Sequence, residues 1–214
     1  DSARWRCGLA DYRCARDQQP AQRPPGASPD GRWIAFVRDY NLWLRSAENG
    51  WEVQLTQDGE RGYGYASSLP NPRVVIEQQG APAANPAVFW SPDSRRLVSY
   101  RIDARSAGTL SMVQHAPADR IRPVHFTYWY PLPQDTVLPT AEAFIFEVDS
   151  RRRTPVVMEP ITLQYYGGPS FNWLEDGTAF STVVADRGYT RRQVRVVDAA
   201  PGAVHVAVDE RGDP

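Results

Sequence analysis

Short apolar runs broken by polar turns set the character of this chain. Trp33-Ile34-Ala35-Phe36-Val37, Arg96-Leu97-Val98-Ser99-Tyr100 and Thr178-Ala179-Phe180-Ser181-Thr182-Val183-Val184 mix aromatic and β-branched residues. Such residues suit a pleated, half-buried strand. A turn phrase precedes each run. Ser28-Pro29-Asp30-Gly31-Arg32 leads into the first and Ser91-Pro92-Asp93-Ser94-Arg95 into the second; Trp173-Leu174-Glu175-Asp176-Gly177 is a weaker third copy. In every copy Asp-Gly or Asp-Ser marks a tight turn. No stretch carries a 3.6-residue apolar period capped at both ends, so the pattern predicts strands and turns throughout.

A second phrase is a hairpin. Leu42-Trp43-Leu44-Arg45 turns at residues 46–50 into Glu52-Val53-Gln54-Leu55-Thr56, and Phe144-Ile145-Phe146-Glu147-Val148 turns into Thr154-Pro155-Val156-Val157-Met158. Val194-Arg195-Val196-Val197 and Val204-His205-Val206-Ala207-Val208 repeat it, and the Trp5-Arg6-Cys7 and Tyr12-Arg13-Cys14 stretches look like one more copy. Repeated units of this kind cannot bury their faces alone and stack radially as the blades of a β-propeller. The expected fold is therefore all-β: about three four-stranded blades plus part of a preceding one. Residues 1–24 read as the outer hairpin of a blade, 25–60 as a blade and 61–87 as an inter-blade loop. Residues 88–160 read as a blade with a proline-rich insertion near 101–142, and 161–214 as a further blade.

Composition narrows the partners. The 214 residues carry 24 basic and 25 acidic side chains, for a net charge of −1. With no basic block to neutralise phosphates, nucleic acid and anionic membrane surfaces are poor partners. No apolar run approaches the roughly 20 residues of a membrane span. Every basic residue is arginine, which points to a GC-rich bacterial genome.

The phrases resemble the N-terminal β-propeller domain of the dipeptidyl peptidase IV family, within the prolyl oligopeptidase-like serine peptidases. The resemblance rests on residues 28–39, on Asn41-Leu42-Trp43-Leu44-Arg45 and on Leu55-Thr56-Gln57-Asp58-Gly59. It continues in Phe89-Trp90-Ser91-Pro92-Asp93 and in Tyr128-Trp129-Tyr130-Pro131. It implies an eight-bladed propeller followed by an α/β-hydrolase domain, and a domain of that pattern is absent from these residues. It also implies a fragment that gates a catalytic chamber and lends residues to peptide binding. A partial ring leaves blade faces and strand edges uncovered, so a homo-oligomer is expected. A stand-alone periplasmic module that binds proteins or peptides is the alternative.

The chemistry-bearing residues are few. No G-x-S-x-G elbow occurs, so no catalytic residue is assigned. Tyr166-Gly167-Gly168-Pro169-Ser170 resembles an oxyanion loop, but it runs straight into the third blade phrase and reads as an inter-blade turn. His115, His125 and His205 show no triad grouping and no metal-ligand spacing, so neither metal nor cofactor is expected. The family grips a peptide's free N-terminal amine with two glutamates. Counting back from Trp90 places that pair near Gln79 and Gly80, where Glu77 is the single nearby carboxylate. Glu77 is thus the candidate substrate-binding residue, with a polar strand-end residue as the competing reading. Cys7 and Cys14 fall in the first hairpin and could bridge its strands; free thiols are the alternative. The family's frequent export favours a periplasmic or secreted setting over a cytoplasmic one.

Overall fold

The computed structural model describes residues 5–7, 13–16, 23–78, 80 and 85–212. The first pair of strands is β1 (Trp5–Cys7) and β2 (Cys14–Arg16), antiparallel with Cys7 opposite Cys14. The two cysteines are joined by a disulfide, with Cα atoms 4.1 Å apart. Tyr12 lies outside the described residues, and the second strand begins at Cys14.

Three larger sheets follow, and they are the blades of a propeller segment. The first holds β3 (Trp33–Arg38), β4 (Asn41–Ser46) and β5 (Glu52–Gln54), with a single bridge from Ala27 to Ile34 on its inner side. Next come helix α1 (Pro72–Glu77) and β6 (Phe89–Trp90), β7 (Arg96–Asp103), β8 (Thr109–Gln114), β9 (Val124–Trp129), β10 (Thr140–Glu147), β11 (Arg153–Pro155) and β12 (Ile161–Thr162). Strands β6, β7, β10 and β11 form the second blade, and β12 adds to the start of β10. Between β7 and β10 the insertion builds its own hairpin, β8 with β9. The third blade runs in order through β13 (Asn172–Trp173), β14 (Ala179–Ala185), β15 (Arg191–Asp198) and β16 (Val204–Arg211).

Two features depart from the sequence pattern. Residues 61–87, read as a loop, contain α1. Its six residues are too few to display a 3.6-residue period. The insertion is also narrower than 101–142, because β7 and β10 stay paired out to Asp103 and Thr140.

Packing explains why the second blade reads as almost continuously apolar. Leu97, Phe144 and Phe146 join Ala35, Leu42 and Leu44 of the first blade in one core. Val98, Tyr100, Ile102 and Ile145 turn the other way, onto Phe171, Phe180 and Val197 of the third blade. Successive residues of a strand point to opposite faces, so a sheet covered on both sides needs apolar residues at nearly every position.

The turn phrase has a physical basis. The Asp30, Asp93 and Asp176 carboxylates each accept the backbone N–H two residues on, from Arg32, Arg95 and Thr178. Ser28 Oγ and Ser91 Oγ donate to the first two of these carboxylates at 2.6 Å. The same turn needs a left-handed residue, and Gly31 (φ 74°), Ser94 (φ 60°) and Gly177 (φ 68°) hold that place. Ser94 stands where glycine would be less strained, but its hydroxyl accepts the Asp30 N–H at 3.0 Å and so ties two blades together.

A second inter-blade bond recurs at the inner strands. Trp90 Nε1 donates to the Gly26 carbonyl at 3.0 Å, and Trp173 Nε1 donates to the Phe89 carbonyl at 2.8 Å. Aligning the turn phrases makes Trp90 and Trp173 equivalent, and Gly26 and Phe89 equivalent. Trp173→Phe keeps an aromatic ring and removes the donor, so it should destabilise the chain by about 1–2 kcal/mol. Urea unfolding should show a lower midpoint with an unchanged slope; an unchanged midpoint would mean that the bond contributes nothing.

Candidate functional site at helix α1

Two local signals build α1. Asn71 caps it, its Oδ1 accepting the Val74 N–H at 2.9 Å, and Pro72 sits in the first turn, where a missing N–H costs nothing. Val75 points inward and is buried against Phe126 and Tyr128 of β9, with Ile76, Leu110 and Met112 around them. The insertion hairpin therefore serves as the floor on which the helix rests.

Glu77 lies at the C-terminal end of this helix, which corrects the strand-end reading. Its Oε1 accepts from Arg73 Nε at 2.6 Å, and the two side chains are 54% and 85% exposed. An exposed pair at i, i+4 spacing is worth only about 0.3–0.5 kcal/mol, so the carboxylate is available to another cation. Of the two positions counted back from Trp90, Gln79 lies outside the described residues and Gly80 offers no side chain. Glu77 is the one carboxylate among the described residues from 71 to 80.

Beside the helix, segment 62–66 runs along β7. Ile102 N–H donates to the Gly64 carbonyl at 2.9 Å, Ala104 N–H to Gly62 at 2.7 Å, and Ala66 N–H to Tyr100 at 2.9 Å. A charged clamp fixes this segment. The Tyr65 hydroxyl donates to Asp58 at 2.9 Å and accepts from Arg101 and Arg153. Both guanidiniums also reach Asp58, at 2.8 and 3.1 Å, and Arg101 pairs with Glu142 besides. Arg101 and Arg105 lie over the Tyr63 ring at 4.1 and 3.8 Å from its centroid. Burial would raise the Asp58 carboxyl, but the Tyr65 hydroxyl and the Arg153 charge outweigh it and hold it below its ordinary range. Burial, aided by the Asp58 hydrogen bond, pushes the Tyr65 phenol up to about 12.

The remaining candidates stay apart. His115 and His125 are exposed on the insertion, and His205 is exposed on β16. Gly167 exchanges backbone hydrogen bonds with Leu69, at 2.8 and 2.9 Å, so the 166–170 segment ties the 61–70 segment to the third blade. Among the described residues no three His, Cys, Asp or Glu side chains converge to hold a metal, and no helix is long and apolar enough to cross a membrane.

Blades, turn phrase and insertion together point one way. Residues 10–213 match the family model described as the dipeptidyl peptidase IV (DPP IV) N-terminal region. The chain belongs to that family. A probable dipeptidyl-aminopeptidase B of Aspergillus fumigatus is 31% identical over 101 residues, which is 42% of this chain and 10% of that protein. A probable dipeptidyl peptidase 4 of the same fungus is 28% identical over 171 residues, 78% of this chain and 21% of that one. The solved dipeptidyl peptidase 4 of Porphyromonas gingivalis shares the fold with a TM-score of 0.65 at 20% identity, over 89% of this chain and 26% of that chain. A putative dipeptidyl aminopeptidase IV from Bacteroides ovatus gives 0.61 at 17%, over 87% and 23%. This DPP IV N-terminal region thus spans about a tenth to a quarter of the length of those relatives.

The clamp predicts an acid response. Asp58 titrates lower in the folded chain than in the unfolded one, so its contribution is complete above the ordinary carboxylate range. It is lost as pH falls below about 4. Asp58→Asn should flatten the fall in stability between about pH 5 and pH 2, followed by urea unfolding at each pH. A parallel offset with the same slope would remove Asp58 from the response.

Proposed function

We propose that this chain is the N-terminal propeller segment of a dipeptidyl peptidase-like serine exopeptidase, gating its catalytic chamber and contributing Glu77 to peptide binding. The family match across residues 10–213 carries the reading. The placement of Glu77 supports its finer part: a carboxylate on a capped helix packed against β9, half exposed, with only a weak internal partner. A carboxylate so placed can accept charge-assisted hydrogen bonds from a peptide's terminal ammonium. One carboxylate in place of two implies weaker selection for free N-termini. Ala-Pro-Ala should bind the chain, by calorimetry, a few-fold more tightly than its N-acetyl form, and Glu77→Gln should abolish the difference. Equal affinity of both peptides for the unmodified chain removes Glu77 from the site and favours the second reading, a module that binds peptides along their length.

The same proposal includes an oxidising compartment, periplasmic or extracellular, in keeping with the Cys7–Cys14 bridge. Protein recovered from a periplasm without reduction should leave both cysteines unalkylated in mass spectrometry. Quantitative alkylation of both would place the chain in a reducing setting.

A further inference from the structure

Between α1, segment 61–70 and β9 lies a cleft of about 180 Å³. Cavities of roughly 150 Å³ accept a benzene ring, so the cleft has room for one aromatic side chain. Its walls are mostly apolar, formed by Tyr40, Phe126, Tyr128 and Trp129. Gly62 lets the backbone close over the Trp129 ring, where a Cβ would sit 2.8 Å from the indole.

The polar groups at its mouth have one sign. The Arg61 guanidinium lies over the Trp129 ring at 4.9 Å, and it has no acid partner among the described residues. Neighbouring Glu60 is taken by Arg105 at 3.0 Å. A guanidinium stacked on an aromatic face still presents its N–H edge as a fork that matches a carboxylate. Ser67 and Ser68, half-buried in the lining, have hydroxyls that bond to none of the described residues. A second cleft shares Ser68, Leu69 and Pro70 with the first and continues past Asn71 to Tyr166.

The backbone around the cleft is held against its preference. Tyr40, in the cleft wall, adopts φ 63°, a left-handed conformation that costs a residue with a side chain on the order of 1 kcal/mol or more. Such strain concentrates where a ligand is held.

We infer that this cleft binds the C-terminal residue of a peptide ending in an aromatic side chain. The ring fills the space between Tyr40 and Phe126, the terminal carboxylate is forked by Arg61, and the preceding residues lie along Ser68 toward Tyr166. The assignment is independent of Glu77, since it requires no free amine.

N-acetyl-Ala-Ala-Phe and its C-terminal amide are the probes, titrated against the whole chain by tryptophan fluorescence and calorimetry. The acid should bind about tenfold more tightly than the amide. Arg61→Met should bring the acid down to the affinity of the amide while leaving the amide unchanged, and Arg61→Lys should keep part of the preference. Arg61 is exposed, so both variants should unfold at the urea midpoint of the unmodified chain. Equal binding of acid and amide, a preference that survives Arg61→Met, or equal affinity for N-acetyl-Ala-Ala-Ala would each overturn the assignment. So would the absence of saturable binding at millimolar peptide. Because the probes are acetylated, their failure leaves the Glu77 reading standing, and loss of the Glu77 effect leaves this one standing.

Discussion

Blade faces in this chain are held in register by one repeated bond, the indole N–H of an inner strand donated to a carbonyl of the blade before it. The hydrophobic effect brings the sheets together, but it is non-directional. Phe144 and Phe146 on one face and Ile145 on the other supply attraction and close packing, and the indoles add direction to it. Trp90 and Trp173, both half-buried, supply that direction, because a donor withdrawn from water and left without its acceptor costs about 1 kcal/mol or more. Each indole therefore fixes an inner strand, and each inner strand fixes the turn that follows. The Asp30 N–H meeting Ser94 Oγ is a second tie at the same radius. With the inner edge fixed, the central strands β7 and β10 can carry a long insertion between them without loosening the blade.

The insertion uses that freedom. Strands β7 and β10 remain fully paired, and the chain between them leaves and returns as a separate hairpin. That hairpin supplies Phe126 and Tyr128 to support α1, which is too short to be stable alone. Helix and hairpin thus form a satellite around a small core of their own, whereas the 61–70 segment packs into the blade cores through Tyr65, Ala66 and Leu69. The clamp at Asp58, Tyr65, Arg101 and Arg153 fixes that segment to the second blade.

How much of this was legible depended on distance along the chain. The turn phrase is local: Ser28, Asp30 and Gly31 define their geometry within a few residues, so the blades could be placed from it. The hairpin β8–β9 was legible in principle, since Thr109-Leu110-Ser111-Met112-Val113-Gln114 alternates with period two. Proline-rich flanks at Arg122-Pro123 and Tyr130-Pro131 mask it with a loop-like composition. Helix α1 left a single trace, Asn71-Pro72, an N-cap followed by a first-turn proline. The spacing from Trp90 points to Glu77, but six residues carry too little pattern to reveal its helical setting. The Arg61 cleft was invisible, because it is assembled from residues 40, 61–69, 75 and 126–129. Nothing in the spacing of those residues announces that they meet.

The strained residues show which demands the fold puts first. Ala66 is buried, and its N–H and carbonyl are both in use: the N–H donates to Tyr100 and the carbonyl accepts from Ala87. Releasing Ala66 to an ordinary conformation would break one of those bonds in a dry environment, at a cost of about the strain or more. The left-handed backbone there is therefore explained by packing alone. Tyr40 is different. It occupies the second place of a two-residue hairpin turn with Asp39 at φ 48°, where glycine or asparagine fits without strain. Its carbonyl accepts from Tyr65, a bond that glycine would make equally well. What only the side chain supplies is the wall of the cleft. The turn sets φ at both of its places, so what the tyrosine adds is a ring in the cleft wall. That wall, beside an Arg61 guanidinium with no acid partner among the described residues, is the physical ground for treating the cleft as a site rather than as a gap.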